Sequence, residues 1–158
     1  DKDCPELKKA VEYAEKKGVI FISAAGNSNA GAPERVFYPA AYETVIGVGS
    51  VNSEGQVSAF SQRNTSVLVT APGENLDVVA PSDKKNYKKV SGTSYAASYV
   101  TSLAAFLLYE HPGMTPEEFR QILKSSSKDL GEPGYDTSYG WGLIDVKAAL
   151  AFTSLSPN

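Results

Sequence analysis

The stretch Ser91-Gly92-Thr93-Ser94-Tyr95-Ala96-Ala97-Ser98 sets a serine among small residues at the head of a predicted helix. There the backbone N–H groups point outward and the helix dipole is positive, so an oxyanion formed beside the Ser94 hydroxyl is stabilised. Gly92 lets a substrate backbone approach closely, and Ala96 and Ala97 let the helix sit tightly against its neighbours. The octapeptide alone also reads as a serine that merely caps a core helix. Upstream, Ala24-Ala25-Gly26-Asn27 closes a predicted strand. Ligands of an open parallel sheet gather beyond the carboxyl ends of its strands, so the Asn27 amide stands where it can donate to a developing oxyanion. Taken alone, Gly-Asn reads as a turn.

A serine hydroxyl is a weak nucleophile until a neighbouring base takes its proton. The chain has one histidine, His111, in Glu110-His111-Pro112-Gly113. About 17 helical residues at 1.5 Å each would put it roughly 25 Å from Ser94, so it reads as a turn residue. A histidine base must come from outside this chain. Gly92-Thr93-Ser94-Tyr95-Ala96 is one residue short of the Gly-x-Ser-x-Gly elbow of α/β-hydrolases. That fold needs an acid and then a histidine after the serine, and the adjacent Glu110 and His111 do not supply them. The single cysteine, Cys4, excludes an internal disulfide and a cysteine-rich zinc site, and no motif supports a Cys4–His111 thiol mechanism.

The elements that position these residues follow from periodicity. Leu7, Ala10, Val11 and Ala14 form one apolar stripe, predicting a helix over 4–17. Asp3 and Glu6 have capping-box spacing, Pro5 suits a first turn and Gly18 is a natural stop. Val19-Ile20-Phe21-Ile22 does not alternate, which predicts a strand over 19–24 buried on both faces. Val45–Gly49 and Val67–Val69 read the same way, and helices alternating with buried strands give an α/β layered fold. Residues 26–39 read as a surface loop. Short strands or a hairpin are expected around Leu76–Ala80 and Tyr87–Val90. The helix from Thr93 to about Tyr109 lacks a polar face and is expected to be central and buried. Thr115, Pro116 and Glu118 open another helix with buried Phe119, Ile122 and Leu123, and a last helix runs from near Asp145 to about Phe152.

With 158 residues the chain fits one domain, and 42% hydrophobic with 21% charged residues is an ordinary globular ratio. Lys plus Arg is 15 and Asp plus Glu 18, a net charge of −3 that supplies no cationic face for nucleic acid. No apolar run approaches the roughly 20 residues of a membrane span, and no secretory signal pattern is present. Beginning at Asp1, the chain reads as a processed product or a cut piece. The Lys84-Lys85 and Lys88-Lys89 pairs read as a solvated hairpin surface, and Asp77, Asp83 and Asp136 as surface or turn residues.

Taken together, these residues resemble the subtilisin-like serine proteases, the subtilase family (peptidase S8). SGTSYAAS is similar to the family's Gly-Thr-Ser-Met-Ala-(Ala or Ser)-Pro-His, and AAGN to its oxyanion-asparagine motif, in the family's order. Further likenesses follow in order: Tyr38-Pro39-Ala40, Val45–Gly49, Phe60-Ser61, Ala71-Pro72-Gly73 and Gly140-Trp141-Gly142-Leu143-Ile144-Asp145. They cover roughly residues 5–152.

The resemblance implies a three-layer fold with a mostly parallel sheet flanked by helices. It implies a serine endopeptidase in which Ser94 is acylated while Asn27 and the Ser94 N–H form the oxyanion hole. Ala25, Gly26, Gly92 and Thr93 would bind substrate. Phe37 falls at the floor of the pocket for the residue before the cut bond, often a glycine in the family, so a ring there is expected to favour small side chains. No cofactor is required, and a weak structural cation near Pro39–Tyr42 is implied. Extracellular or cell-surface localisation is the family's usual one.

Nothing upstream of Ser94 matches the family's Asp or His motifs, which in this arrangement precede the serine. The whole chain, 1–158, therefore reads as a partial catalytic domain, the nucleophile-bearing half. Its expected partners are a polypeptide substrate and the N-terminal half that carries Asp and His. The isolated chain is expected to be inactive, with a sheet edge left open. Tyr95, Ser98 and Tyr99 replace the family's methionine, proline and histidine. The alternative function is a non-catalytic pseudoprotease or a peptide-binding scaffold on a subtilase fold.

Overall fold

The computed structural model describes residues 2–29, 31–32, 34–80 and 83–154. Helix α1 (Pro5–Lys16) leads into strand β1 (Ile22–Ala24), followed by β2 (Ile46–Val51) and β3 (Val69–Pro72). These strands form a parallel sheet in the order β1-β2-β3, with Ile22 opposite Ile46 and Val48 opposite Val69. A hairpin of β4 (Leu76–Ala80) and β5 (Asp83–Val90) follows, then helices α2 (Thr93–Glu110), α3 (Pro116–Ser126) and α4 (Val146–Ser154).

Alternation along the first strand puts a helix on each side of the sheet. Ile20 and Ile22 pack against the main core with Val100, Leu103 and Leu107 of α2. Phe21 packs the other way, against Val11 of α1 with Tyr42 and Val45. Two apolar faces explain the unbroken hydrophobic run and make the expected α/β layers. Burial of the run is only partial, however: Val19 is 46% exposed and all of β1 is half-buried. Among the described residues β1 has one neighbour, β2, and its other edge is open.

The long helix departs from expectation in the same direction. Val100, Leu103, Ala104 and Leu107 are buried on the sheet, whereas Tyr99, Phe106 and Tyr109 are 45%, 51% and 80% exposed. It is one-sided, because the described residues cover only the side toward the sheet. A shallow groove lined by Val19, Ile20, Phe21, Ile22 and Thr101 lies where α2 meets the open edge. Among the described residues no helix is long and apolar enough to cross a membrane.

Local signals were realised unevenly. The Thr115 side chain accepts from Glu118 N while the Glu118 carboxylate accepts from Thr115 N at 2.7 Å, so the capping box of α3 forms. The Asp3–Glu6 box of α1 does not form. Cys4 is the N-cap and uses no side-chain cap bond, which leaves Glu6 one position short of the reach a capping box needs. Tyr42 secures that end instead: its hydroxyl donates to Cys4 O at 2.9 Å and accepts from Cys4 N at 3.1 Å. Burial raises the Tyr42 pKa, opposed by the bond to the Cys4 backbone. Gly18 ends α1 with φ +84°, and α4 starts at Val146, with Asp145 accepting from Ala148 N.

The closing motif lies alongside β3. Thr70 N donates to Gly142 O at 2.8 Å and Ile144 N to Thr70 O at 3.0 Å. Gly140 passes so close to the Leu68 carbonyl that no side chain fits there. In the hairpin, Asp77 pairs with Lys89 at 2.7 Å and Lys88 is exposed, in keeping with a solvated surface. The side chains of Asp83, Lys84 and Lys85 fall outside what is described. Asp136 accepts from Ser138 N and Tyr139 N, a turn role.

Candidate active site

The segment after β1 and the N-terminus of α2 meet beyond the carboxyl ends of the sheet strands. Thr93 N donates to Asn27 Oδ1 at 2.9 Å, Thr93 Oγ1 is 2.8 Å from the same oxygen, and Gly26 N donates to Thr93 Oγ1 at 3.2 Å. With Asn27 Oδ1 held this way, its Nδ2 is left beside Gly92, 3.4 Å from where a Cβ on that glycine would stand. Gly92 has φ +155° and marks the last non-helical residue before α2. A side chain there would come within ordinary contact of the Asn27 amide and narrow the space above it.

Ser94 is the second residue of α2 and is exposed. Its carbonyl accepts from Ser98 Oγ at 3.1 Å, while its N–H and Oγ take no partner among the described residues. A free hydroxyl and a free N–H therefore lie at the positive end of an 18-residue helix whose first residue is bonded to the Asn27 amide. Helix α2 runs unbroken through Ser98 and Tyr99, so neither substitution disturbs its course.

Two backbone bonds hold the base of the hairpin to this point. Gly92 N donates to Gly73 O at 2.7 Å, and Gly73 N donates to Val51 O at 3.1 Å. Gly73 is a close approach: a Cβ would fall 2.5 Å from Ser50 Oγ and 2.9 Å from Gly92 O.

Phe37 packs against Gly26. A Cβ on Gly26 would sit 2.6 Å from Phe37 Cδ2 and 3.0 Å from Gln62 Cγ, and Gly26 has φ +116°. The Arg35 guanidinium lies over the Phe37 ring, 5.0 Å from its centroid.

The structure thus brings Asn27, Gly26, Phe37, Gly92, Thr93 and Ser94 together. Ala25 is fully buried with its N–H on Val48 O, and Thr93 is fully buried with its N–H and hydroxyl engaged by Asn27 and Gly26. His111 caps the far end of α2, at the opposite end of the helix from Ser94.

Sequence reasoning missed Gln62, which is fully buried. Its N–H donates to Gly26 O at 3.0 Å and its Nε2 to Ala32 O and Arg35 O at 2.8 and 2.6 Å. It ties the loop after Asn27 to the loop carrying Phe37. Nothing in the local pattern around Ser61-Gln62 signals this, because the partners are 27 to 36 residues away.

In the Pro39–Tyr42 turn the Pro39 and Tyr42 carbonyls accept from Tyr42 N and Val45 N, and Arg120 donates to Thr44 O at 2.9 Å. Among the described residues no three His, Cys, Asp or Glu converge anywhere.

Comparison with known proteins adds the family. The model described as the subtilase family (Peptidase_S8) matches residues 1–142. Subtilisin DY of Bacillus licheniformis is 38% identical over 144 residues, 90% of this chain and 51% of that protein. The major intracellular serine protease of Bacillus subtilis (strain 168) is 43% identical over 127 residues, 78% of this chain and 38% of that protein. A solved structure titled as a lanthipeptide protease superposes with TM-score 0.80 at 27% identity, covering 92% of this chain and 54% of that one. The chain spans about half or less of the length of these relatives. One of them is named as intracellular, so kinship alone does not fix a compartment.

Proposed function

Because the chain belongs to the subtilase family of serine peptidases, we propose that it is the nucleophile-bearing part of an endopeptidase catalytic domain. In this reading Ser94 Oγ attacks the carbonyl carbon of a peptide bond, forming the Oγ–C bond as its proton passes to a base. The carbonyl oxygen becomes an oxyanion and is met by Asn27 Nδ2 and the Ser94 N–H. Collapse breaks the C–N bond, the base returns the proton to the leaving amine, and water then hydrolyses the acyl-enzyme.

The observation that carries this reading is the bond from Thr93 N to Asn27 Oδ1, which joins residues 66 apart and ties the Asn27 amide to the residue that precedes Ser94. Such a donor acts only if it is in place before the charge develops. The base and its orienting carboxylate belong to a second segment, since the only histidine lies at the far end of α2. The open edge of β1 and the exposed side of α2 are the surfaces that segment would cover. The isolated chain is then inactive.

A fluorophosphonate probe tests this in the complete protease, meaning this chain together with the segment that supplies acid and base. Labelling that disappears in Ser94→Ala supports an acylated nucleophile. Absence of labelling in a folded complete protein would instead mean a scaffold that holds peptide without cutting it.

A further inference from the structure

The segment 26–37 leads from Gly26 to Phe37 with no helix or strand among the described residues. A regular backbone ladder therefore does not set how deep a side chain on it stands; its tertiary partners must. We propose that Gln62 is a positioning residue that sets which side chain the site accepts before the cut bond. The inference rests on the endopeptidase reading and on Phe37 standing in that pocket.

Four hydrogen bonds carry it. The Gln62 N–H donates to Gly26 O at 3.0 Å, at the start of the segment. At the other end its Nε2 donates to Ala32 O at 2.8 Å and to Arg35 O at 2.6 Å. An amide nitrogen carries two protons and only donates, so the two carbonyls use both and fix the orientation of the amide. Arg35 O is also met by a second buried amide, Asn64 Nδ2 at 2.8 Å, whose Oδ1 is committed to Ser66 N and Ser66 Oγ. Gln62 has no exposed surface, so water does not replace a lost donor. Both ends of the segment thus hang from one residue. Phe37 takes its place from the same attachments: the edge of its ring lies against Gly26, which Gln62 Cγ also crowds, and the Arg35 guanidinium lies 5.0 Å over its centroid. With the backbone fixed at 26 and 35, the ring is held between them.

Gln62→Met keeps the length of the side chain and its backbone N–H but offers the two carbonyls no donor. In the complete protease its ratio of kcat/KM for alanine over phenylalanine peptides is expected to fall about tenfold, the low end of what an apolar pocket delivers. Most of the fall should come from a raised KM for the alanine peptide. It should also vanish in a Phe37→Gly background, where no ring is left to misplace. Equal losses on both peptides, or the same fall with and without Phe37, would show a merely structural role and overturn the proposal.

A second measurement separates this from the endopeptidase reading. In the same complete protein the Ala32 and Arg35 amides, each bonded at 3.1 Å within the segment, are expected to exchange their hydrogens roughly tenfold faster in Gln62→Met, while the amides of β2 keep their rates. If Ser94 takes no fluorophosphonate label but this exchange pattern appears, the endopeptidase reading fails and the clamp stands. If exchange at Ala32 and Arg35 does not change, the clamp is overturned whatever the kinetics. Should Gln62→Met lose protection throughout the sheet, Gln62→Asn, one carbon shorter, is read by the same two outcomes.

Discussion

The ring of Phe37 occupies the space a side chain on residue 26 would need, with its Cδ2 only 2.6 Å from the position of a Cβ on Gly26. If Phe37 floors the pocket for the residue before the cut bond, as the family resemblance implies, this pairing sets how deep that pocket is. Glycine at 26 and a ring at 37 are complementary choices, and each constrains the other.

Replacing Phe37 with glycine should therefore deepen the pocket. The complete protease should then shift toward peptides with a phenylalanine before the cut bond, relative to alanine. A change of about 10- to 200-fold per methylene-sized step is the scale that apolar pockets deliver. Paired kcat/KM values for Ala and Phe peptides check this, and an unmodified enzyme already preferring Phe would contradict it.

Gly26→Ala should be destabilising on two counts, the φ of +116° and the crowding by Phe37 and Gln62. Overpacking alone costs about 1–3 kcal/mol, and the strained backbone adds to it. A lower urea midpoint with unchanged slope is the expected result. Partial recovery in Gly26→Ala with Phe37→Ala would identify the ring as the obstacle.

The capping box on α3 makes a pH prediction. Hydrogen bonds from the Thr115 backbone and side chain hold the Glu118 carboxyl below its ordinary pKa. With the folded pKa below the unfolded one, Glu118 contributes stability at neutral pH, and that contribution is lost as pH falls through the folded pKa. Thermal melts of Glu118→Gln should differ from the parent near pH 7 and converge with it in acid. Thr115→Ala should cost about 0.5–2 kcal/mol, the usual worth of a hydroxyl cap.

The exposed side of α2 predicts self-association of the isolated chain. Phe106 and Tyr109 are 51% and 80% exposed on a helix whose other side packs on the sheet. Phe106→Ser with Tyr109→Ser should reduce light scattering, while stability moves by no more than about 0.5 kcal/mol per site, as for surface positions generally. Unchanged scattering would locate the sticky surface elsewhere, with the open edge of β1 the next to test.

Signals contained in a few consecutive residues were readable from the chain: the apolar stripe of α1, the Thr115 box, the hairpin arms and the Gly18 stop. They were readable because their physics is local. The α1 cap was misplaced because Tyr42, 38 residues on, holds Cys4 and moves the helix start by one position. Burial of α2 was overestimated because composition reports how apolar a helix is, not which neighbours reach it. Asn27 and Ser94 were singled out through the family's motifs, which are runs of consecutive residues. Thr93 and Gln62 went unread for their roles because hydrogen bonds across 27 to 67 residues leave no periodicity.

The hydrogen bond from Gly92 to Gly73 cinches the hairpin at its root, and Gly73 is in turn bonded to Val51 on the central strand. Mechanically the two arms are a cantilever clamped below the point where they would transmit force. The outer arms can bend, lengthen or drift in sequence while the start of α2 stays anchored to the sheet. Evolution can thus reshape the outer arms without retuning the helix start a few residues beyond the clamp.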